Sequence, residues 1–303
     1  MSDDDIRDKN IVTATFTEFS EDDCLTMAAA LSYYTAFALP PLLLLIVTVA
    51  GWIWSPEAVT GQIRDQVSGV IGSGGWQQIE TMMNEAASRD DGRLAAIVGI
   101  AVLIFGATGV MAQLQHALNR AWQVEVSAKH GGIRNFIFKR MLSLGMILGI
   151  AFLLIVSLVL TAVLNATADQ VRSWLPAMLQ GWTPLVVHAL VTLVILTLLF
   201  AAMFKWLPDA EVEWRDTWIG AGATAVLFLA AKFALGVYFG MQDAQTYGPA
   251  ASFVLILLWV YYSSIVFLLG AEFTQVWARR RGARITPSPG AVRIVQTKQE
   301  LPG

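Results

Sequence analysis

Few side chains in this 303-residue chain can do chemistry, and their spacing excludes most of it. One cysteine, Cys24, rules out an internal disulfide framework and a cysteine-based zinc site. The histidines His116, His130 and His188 are scattered, with no H-x-x-x-H spacing, so no metal and no cofactor is expected. No G-x-x-x-x-G-K-[ST] run is present, so ATP cannot energise the protein from this chain. What remains is polar groups set in apolar sequence. Lys232 lies within AVLFLAAKFALGV, about eight residues or ~12 Å from the end of its apolar run. An ammonium at that depth needs a partner or a water-filled cavity, so a pathway role and a structural hydrogen bond both fit. Of six tyrosines, four form tandem pairs, Tyr33-Tyr34 beside Ser32 and Thr35, and Tyr261-Tyr262 beside Ser263 and Ser264. These pairs suggest the two walls of a polar cleft; the alternative is that each pair splits, one ring packing and one facing lipid. Glu272, His188 and Asn119 read as structural polar groups, Glu272 pairing with nearby basic residues and His188 bridging helices.

The elements that carry these residues are membrane spans. Hydrophobic residues make up 56% of the chain and charged residues 14%, against about 25% charged in a soluble domain. Met27 to Trp54 is an uncharged stretch long enough to cross a bilayer. Its first half is polar, its second aliphatic, and Pro40-Pro41 between them predict a helix break. Five further spans are predicted at about 94–114, 141–164, 185–206, 217–240 and 248–276. The fold class is therefore an all-α membrane protein, a bundle of six transmembrane helices forming one domain over 11–281. Small residues at Gly145 and Gly149, Gly236 and Gly240, and Gly99, Gly106 and Gly109 suit close helix packing.

The connecting segments set orientation and periphery. Residues 1–10 are polar, with no signal peptide, and are expected to be disordered; so is the tail 282–303. Residues 11–26 read as an interfacial helix whose Glu21-Asp22-Asp23 end is a solvated helix start. Segment 55–93 predicts a short outer amphipathic hairpin on the membrane surface, either a lid or a simple connection. With the N-terminus inside, fifteen of the Lys and Arg residues face the cytoplasm, including Arg120, Arg134, Arg140 and Arg279–Arg281. Four (Arg64, Arg89, Arg93 and Arg172) face out, so both termini are expected to be cytoplasmic.

Four separated blocks in order resemble the YihY / virulence factor BrkB family of bacterial inner-membrane proteins. They are AAALSYYTAFALPPLLLL at 28–45, LNRAWQV at 118–124, KWLPDAEVEWRDTWIGA at 205–221 and YGPAASFVLILLWVYYSSIVFLLGAEF at 247–273. The resemblance implies six transmembrane helices and a multi-pass bacterial plasma (inner) membrane location. Members have carried the label ribonuclease BN, while others are described as candidate transporters or envelope-integrity factors. This chain departs from the family pattern with Ala38 at a serine position and a doubled proline at Pro40-Pro41.

Enzymatic hydrolysis of RNA is disfavoured, because the chain lacks clustered His/Asp ligands and a soluble domain. The expected function is a transporter or a lipid- and amphiphile-handling protein of the envelope, with a cleft between spans one, five and six. Its expected partners are membrane lipids and an anionic or amphipathic small molecule, not nucleic acid, and homo-oligomerisation is compatible. The alternative is a non-transporting scaffold for envelope integrity or assembly.

Overall fold

The computed structural model describes residues 10–50, scattered positions between 55 and 84, 109–127, 183–240, and 248–294 except 284. Predicted spans at 94–114 and 141–164 fall wholly or largely outside the described residues, as do Gly99, Gly106, Gly145 and Gly149. Five long or capped helices carry the description: α1 (Ile11–Glu21), α2 (Cys24–Ala50), α3 (Thr183–Trp206), α4 (Trp214–Gly240) and α5 (Gly248–Arg280). A further helical stretch covers 109–121, and strands β1 (Val124–Val126), β2 (Ala210–Glu211), β3 (Thr286–Pro287) and β4 (Ala291–Arg293) lie in the connections. Among the described residues, three stretches are long and apolar enough to cross a membrane: Ala189–Trp206, Trp214–Leu235 and Ile256–Arg280.

Helix α5 is the hub. It packs against α1, α2 and α4, and α4 in turn packs against α3. An aromatic group knits the centre: the Phe204 ring stands 5.2 Å from Phe267, Phe200 lies 5.9 Å from Phe267, and Trp122 meets Phe204 edge-on at 6.2 Å. By contrast Val186, Leu190, Val194 and Leu198, four residues apart along one side of α3, are all exposed. A ridge of that spacing and composition is what a lipid-facing helix presents.

The α4–α5 contact is built on a reciprocal pair of G-x-x-x-T sequences, Gly220–Thr224 and Gly270–Thr274. Each threonine hydroxyl donates to the carbonyl of its own glycine four residues earlier, at 2.7 Å in both helices. Each threonine also fills the space beside the other helix's glycine. A Cβ added at Gly220 would lie 2.7 Å from the Thr274 Cβ, and one at Gly270 would lie 2.7 Å from the Thr224 Cγ2. Only glycine lets two backbones approach so closely around a branched side chain. Gly109 makes a looser contact, with the Tyr34 ring 3.7 Å from where its Cβ would stand.

Helix α2 continues through Pro40 and Pro41 as far as Ala50, where a break was expected. The two rings remove two rungs of the hydrogen-bond ladder, but the donors on either side carry the helix across. Of the segment expected to form an outer hairpin on the membrane, residues 85–93 lie outside the described residues. Trp76, Ile79 and Met83, on one helical face, are buried in a cluster with Ala36 of α2 and Ile256 of α5. That face is too apolar and too large to remain at an interface when a groove between two helices will take it.

Within the tail expected to be disordered, the described residues up to Ile294 form two short strands. Helix α5 ends at Gly282 with φ of 75°, where the Ala283 amide donates to the Ala278 carbonyl and the Gly282 amide to Arg279, both at 3.0 Å. The chain then lays β3 against β2, pairing Thr286 with Glu211, and β4 against β1, pairing Ala291 with Val126 and Arg293 with Val124. Each short strand borrows a partner from a loop between helices. Neither sheet is foreseeable from local pattern, because two or three residues carry no periodicity.

Candidate functional site

At the end of the bundle where α1 crosses α5, the structure gathers buried charge. The buried face of α1 is Ala14, Thr15, Glu18 and Phe19, while Val12 and Phe16 are exposed. The buried face thus carries an acid as well as small and apolar residues, and two apolar side chains face outward, as suits a helix at a lipid boundary. Asn10 caps the helix, its side-chain oxygen accepting from the Val12 amide at 3.2 Å. A turn through Asp22 and Asp23, with Asp23 at φ of 55°, then redirects the chain into α2. Asp tolerates this left-handed conformation better than most residues, and its side chain here accepts from Thr26 Oγ1 at 3.0 Å.

Glu18 and Asp22, one helical turn apart, meet Glu272 of α5. One carboxylate oxygen from each of the three lies within 4.8 Å of the others, and all three residues are buried. Two arginines partly balance them: Arg279 Nη1 stands 3.2 Å from Glu18 Oε1, and Arg120 Nε 3.3 Å from Asp22 Oδ1. Gln123 donates to Glu18 Oε2 at 3.4 Å, and the Cys24 thiol to Glu272 Oε1 at 3.5 Å. Gln123 reaches Glu18 because its own backbone is left-handed, with φ of 54°, at the turn from helix 109–121 into β1. Among the described residues, Asp22 Oδ2 and Glu272 Oε2 are buried without a hydrogen-bond donor. Burial, together with the negative charges of Glu18 and Glu21, outweighs Arg120 and pushes the Asp22 carboxyl up to about 6.

Two further acids organise the same end. Asp209, in the α3–α4 connection, accepts from Asn119 Nδ2 at 2.9 Å and from Gln115 Nε2 at 3.1 Å, and its own amide donates to Asn119 Oδ1 at 2.7 Å. Asp216, in the first turn of α4, pairs with Arg281 just past α5. Lys205 donates to the Val212 carbonyl and lies 5.4 Å from the Trp214 ring centroid. Trp206, Trp214 and Trp218 form an exposed aromatic patch beside it.

The path residues named from sequence lie elsewhere. Tyr33 and Tyr34 are 60% and 46% exposed on α2, their rings edge-on at 5.9 Å. Their neighbour Ser32 is buried, its hydroxyl donating to the Leu257 carbonyl of α5 at 2.7 Å. Tyr261 is partly buried against the main core, and Tyr262 is half-buried. Lys232 is exposed on α4 beside the exposed Phe233. The helices bearing the two tyrosine pairs are thus direct neighbours. Asn119 is buried and hydrogen-bonded to Asp209. Glu272 accepts from the Cys24 thiol and lies beside two other acids, Glu18 and Asp22. The side chains of His188, Pro40 and Pro41 lie outside the described residues.

Sequence reasoning missed Glu18, Asp22, Arg120, Asp209, Asp216 and Arg279 as a group. One signal was available. Ala14, Thr15, Glu18 and Asp22 fall on one helical stripe, so a buried Ala14-Thr15 face carries both acids inward. The partner Glu272 is 250 residues away along the chain and gives no such signal.

A family model described as virulence factor BrkB matches residues 15–295. A UPF0761 membrane protein of Alkalilimnicola ehrlichii is 30% identical over 88% of this chain and 58% of its own length. The corresponding protein of Alcanivorax borkumensis is 27% identical over 85% of this chain and 58% of its own. One from Pseudomonas aeruginosa is 25% identical over 93% of this chain and 68% of its own. The chain therefore spans less than two thirds of the first two relatives. No solved structure matches.

Proposed function

Because the chain belongs to the virulence factor BrkB family of membrane proteins, we propose that it handles a lipid or another amphiphilic, anionic molecule at the flank of a six-helix bundle in the bacterial inner membrane. The observation that carries this reading is the exposed Tyr33-Tyr34 pair on α2, the helix that Ser32 ties to the central α5. Two phenols on the outside of the polar half of α2 offer hydrogen bonds to a headgroup moving along the bundle, with ring faces for its chain. Exposed Lys232 would add one positive charge for an anionic headgroup. In this reading both termini are cytoplasmic, on the Lys and Arg asymmetry, and the Glu18–Glu272 end faces the cytoplasm. Helix α5, with 33 residues, is ~50 Å long against a ~30 Å hydrocarbon core, leaving room for its arginine-rich end in the headgroup region.

A second reading, a non-transporting scaffold for envelope integrity, is favoured by the two strand pairs that tie the tail to loops on the same end as the buried acids. The proposal includes no ribonuclease activity: the clustered acids are buried, where a phosphodiester backbone has no access. The test is lipid scrambling and anionic-amphiphile flux in proteoliposomes, comparing wild type with Tyr33→Phe/Tyr34→Phe and Lys232→Ala. A lowered rate at equal insertion supports handling at this flank. Rates equal to wild type remove these residues from the path, and no flux above empty vesicles favours the scaffold.

A further inference from the structure

The cluster formed by Glu18, Asp22 and Glu272 carries an inference independent of what the protein moves. Its first feature is geometry: three carboxylate oxygens within 4.8 Å of one another, contributed by α1, the α1–α2 turn and α5. Oxygens around a Ca2+ ion stand at about 2.3–2.6 Å from it, so two on opposite sides are about 5 Å apart. The second feature is independent of that spacing. Glu272 is completely buried and its Oε2 has no donor among the described residues; Asp22, 6% exposed, has the same deficit at Oδ2. Buried carboxylate oxygens ordinarily find donors, since an unpaired one loses its hydration without return. Here the donors present go to other atoms. Arg279 and Gln123 serve Glu18, Arg120 serves Asp22 Oδ1, and the thiol of Cys24 serves Glu272 Oε1. Among the described residues, Asp22 Oδ2 and Glu272 Oε2 are the two oxygens of the cluster without a donor.

We propose that Asp22, Glu272 and Glu18 bind an oxygen-seeking divalent cation of the Ca2+ or Mg2+ class, tying α1 and the start of α2 to the central α5. Carboxylate oxygens are the ligands such ions select, and the arginines limit the charge the ion must neutralise. On the same face of α5, one turn beyond Glu272, Gln275 Oε1 is also buried without a donor. A side-chain carbonyl of that kind is a further neutral ligand of the right hardness.

The test uses the full chain purified in detergent, stripped with chelator, and titrated with CaCl2, MgCl2 or NaCl at constant ionic strength and pH 7.5. Thermal unfolding midpoint and ion binding by calorimetry are both read. The expected result is a saturable rise in midpoint with Ca2+ or Mg2+ that equal ionic strength of NaCl does not give. Glu272→Gln and Asp22→Asn should each weaken binding at least tenfold, while Asp216→Asn, a buried acid outside the cluster, should leave it unchanged. Should Glu272→Gln fail to fold, Glu272→Asp and Asp22→Asn carry the comparison. A midpoint indifferent to both divalent ions overturns the proposal, as does binding that survives Asp22→Asn with unaltered affinity.

Discussion

The α1 end of the bundle and the exposed faces of α2 and α4 use polar residues in opposite ways. At the end, Glu18, Asp22, Asp216 and Glu272 are buried and held by arginines, amides or a thiol. On those faces, Tyr33, Tyr34 and Lys232 are exposed among apolar neighbours. Buried charge is costly to disturb because removing one partner leaves the other without compensation. Exposed hydroxyls cost little to remove, so where they persist beside lipid their contribution is to what they meet. The end is built for integrity, and the exposed positions are where the proposed handling of an amphiphile would take place.

That contrast can be broken from several directions. The largest loss is expected from Arg279→Ala, which strands Glu18 among other acids and should destabilise by about 3–5 kcal/mol in thermal or denaturant unfolding. Glu18→Gln in the same chain should recover part of it. Next come Gly270→Ala and Gly220→Ala, expected to cost about 1–3 kcal/mol by forcing α4 and α5 apart. Thr224→Ala should relieve part of the first loss and Thr274→Ala part of the second, since each threonine Cβ remains, but not the reverse pairing; failure of that specificity would dismiss the reciprocal lock.

The pH response is expected to be smaller. With a folded-state pKa of about 6 against an ordinary 3.8, the Asp22 contribution to stability is full below 3.8 and is lost as pH rises through 6. Unfolding midpoints followed from pH 4 to pH 7 in chelator should therefore fall less in Asp22→Asn than in wild type. Smallest of all, Tyr33→Phe/Tyr34→Phe should change stability by no more than about 0.5 kcal/mol. Flux that falls while stability holds would sharpen the division between the two regions.

Much of the bundle was legible in sequence because bilayer crossing imposes length and apolarity on each helix separately. The runs that became α3, α4 and α5 met that requirement, although α5 runs on to Arg280, past the end expected at 276. The tyrosine pairs were legible as residues but not as surfaces: nothing local says that Ser32 turns inward to Leu257 while Tyr33 and Tyr34 turn outward. The tail illustrates the opposite failure. Its Pro- and Gly-interrupted composition reads as disorder, yet Thr286 and Ala291 become ordered by partners at Glu211 and Val126.

Sequence alone determined the membrane class, the apolar helices and the family, because each follows from composition or from blocks contiguous in the chain. Tertiary structure decided the rest. The approach of Gly220 to Thr274, the capture of Trp76 between α2 and α5, and the meeting of Glu18 and Asp22 with Glu272 all join residues far apart in the chain. A carboxylate's role depends on what surrounds it, and for Glu272 those surroundings exist only once α1 has folded back across α5.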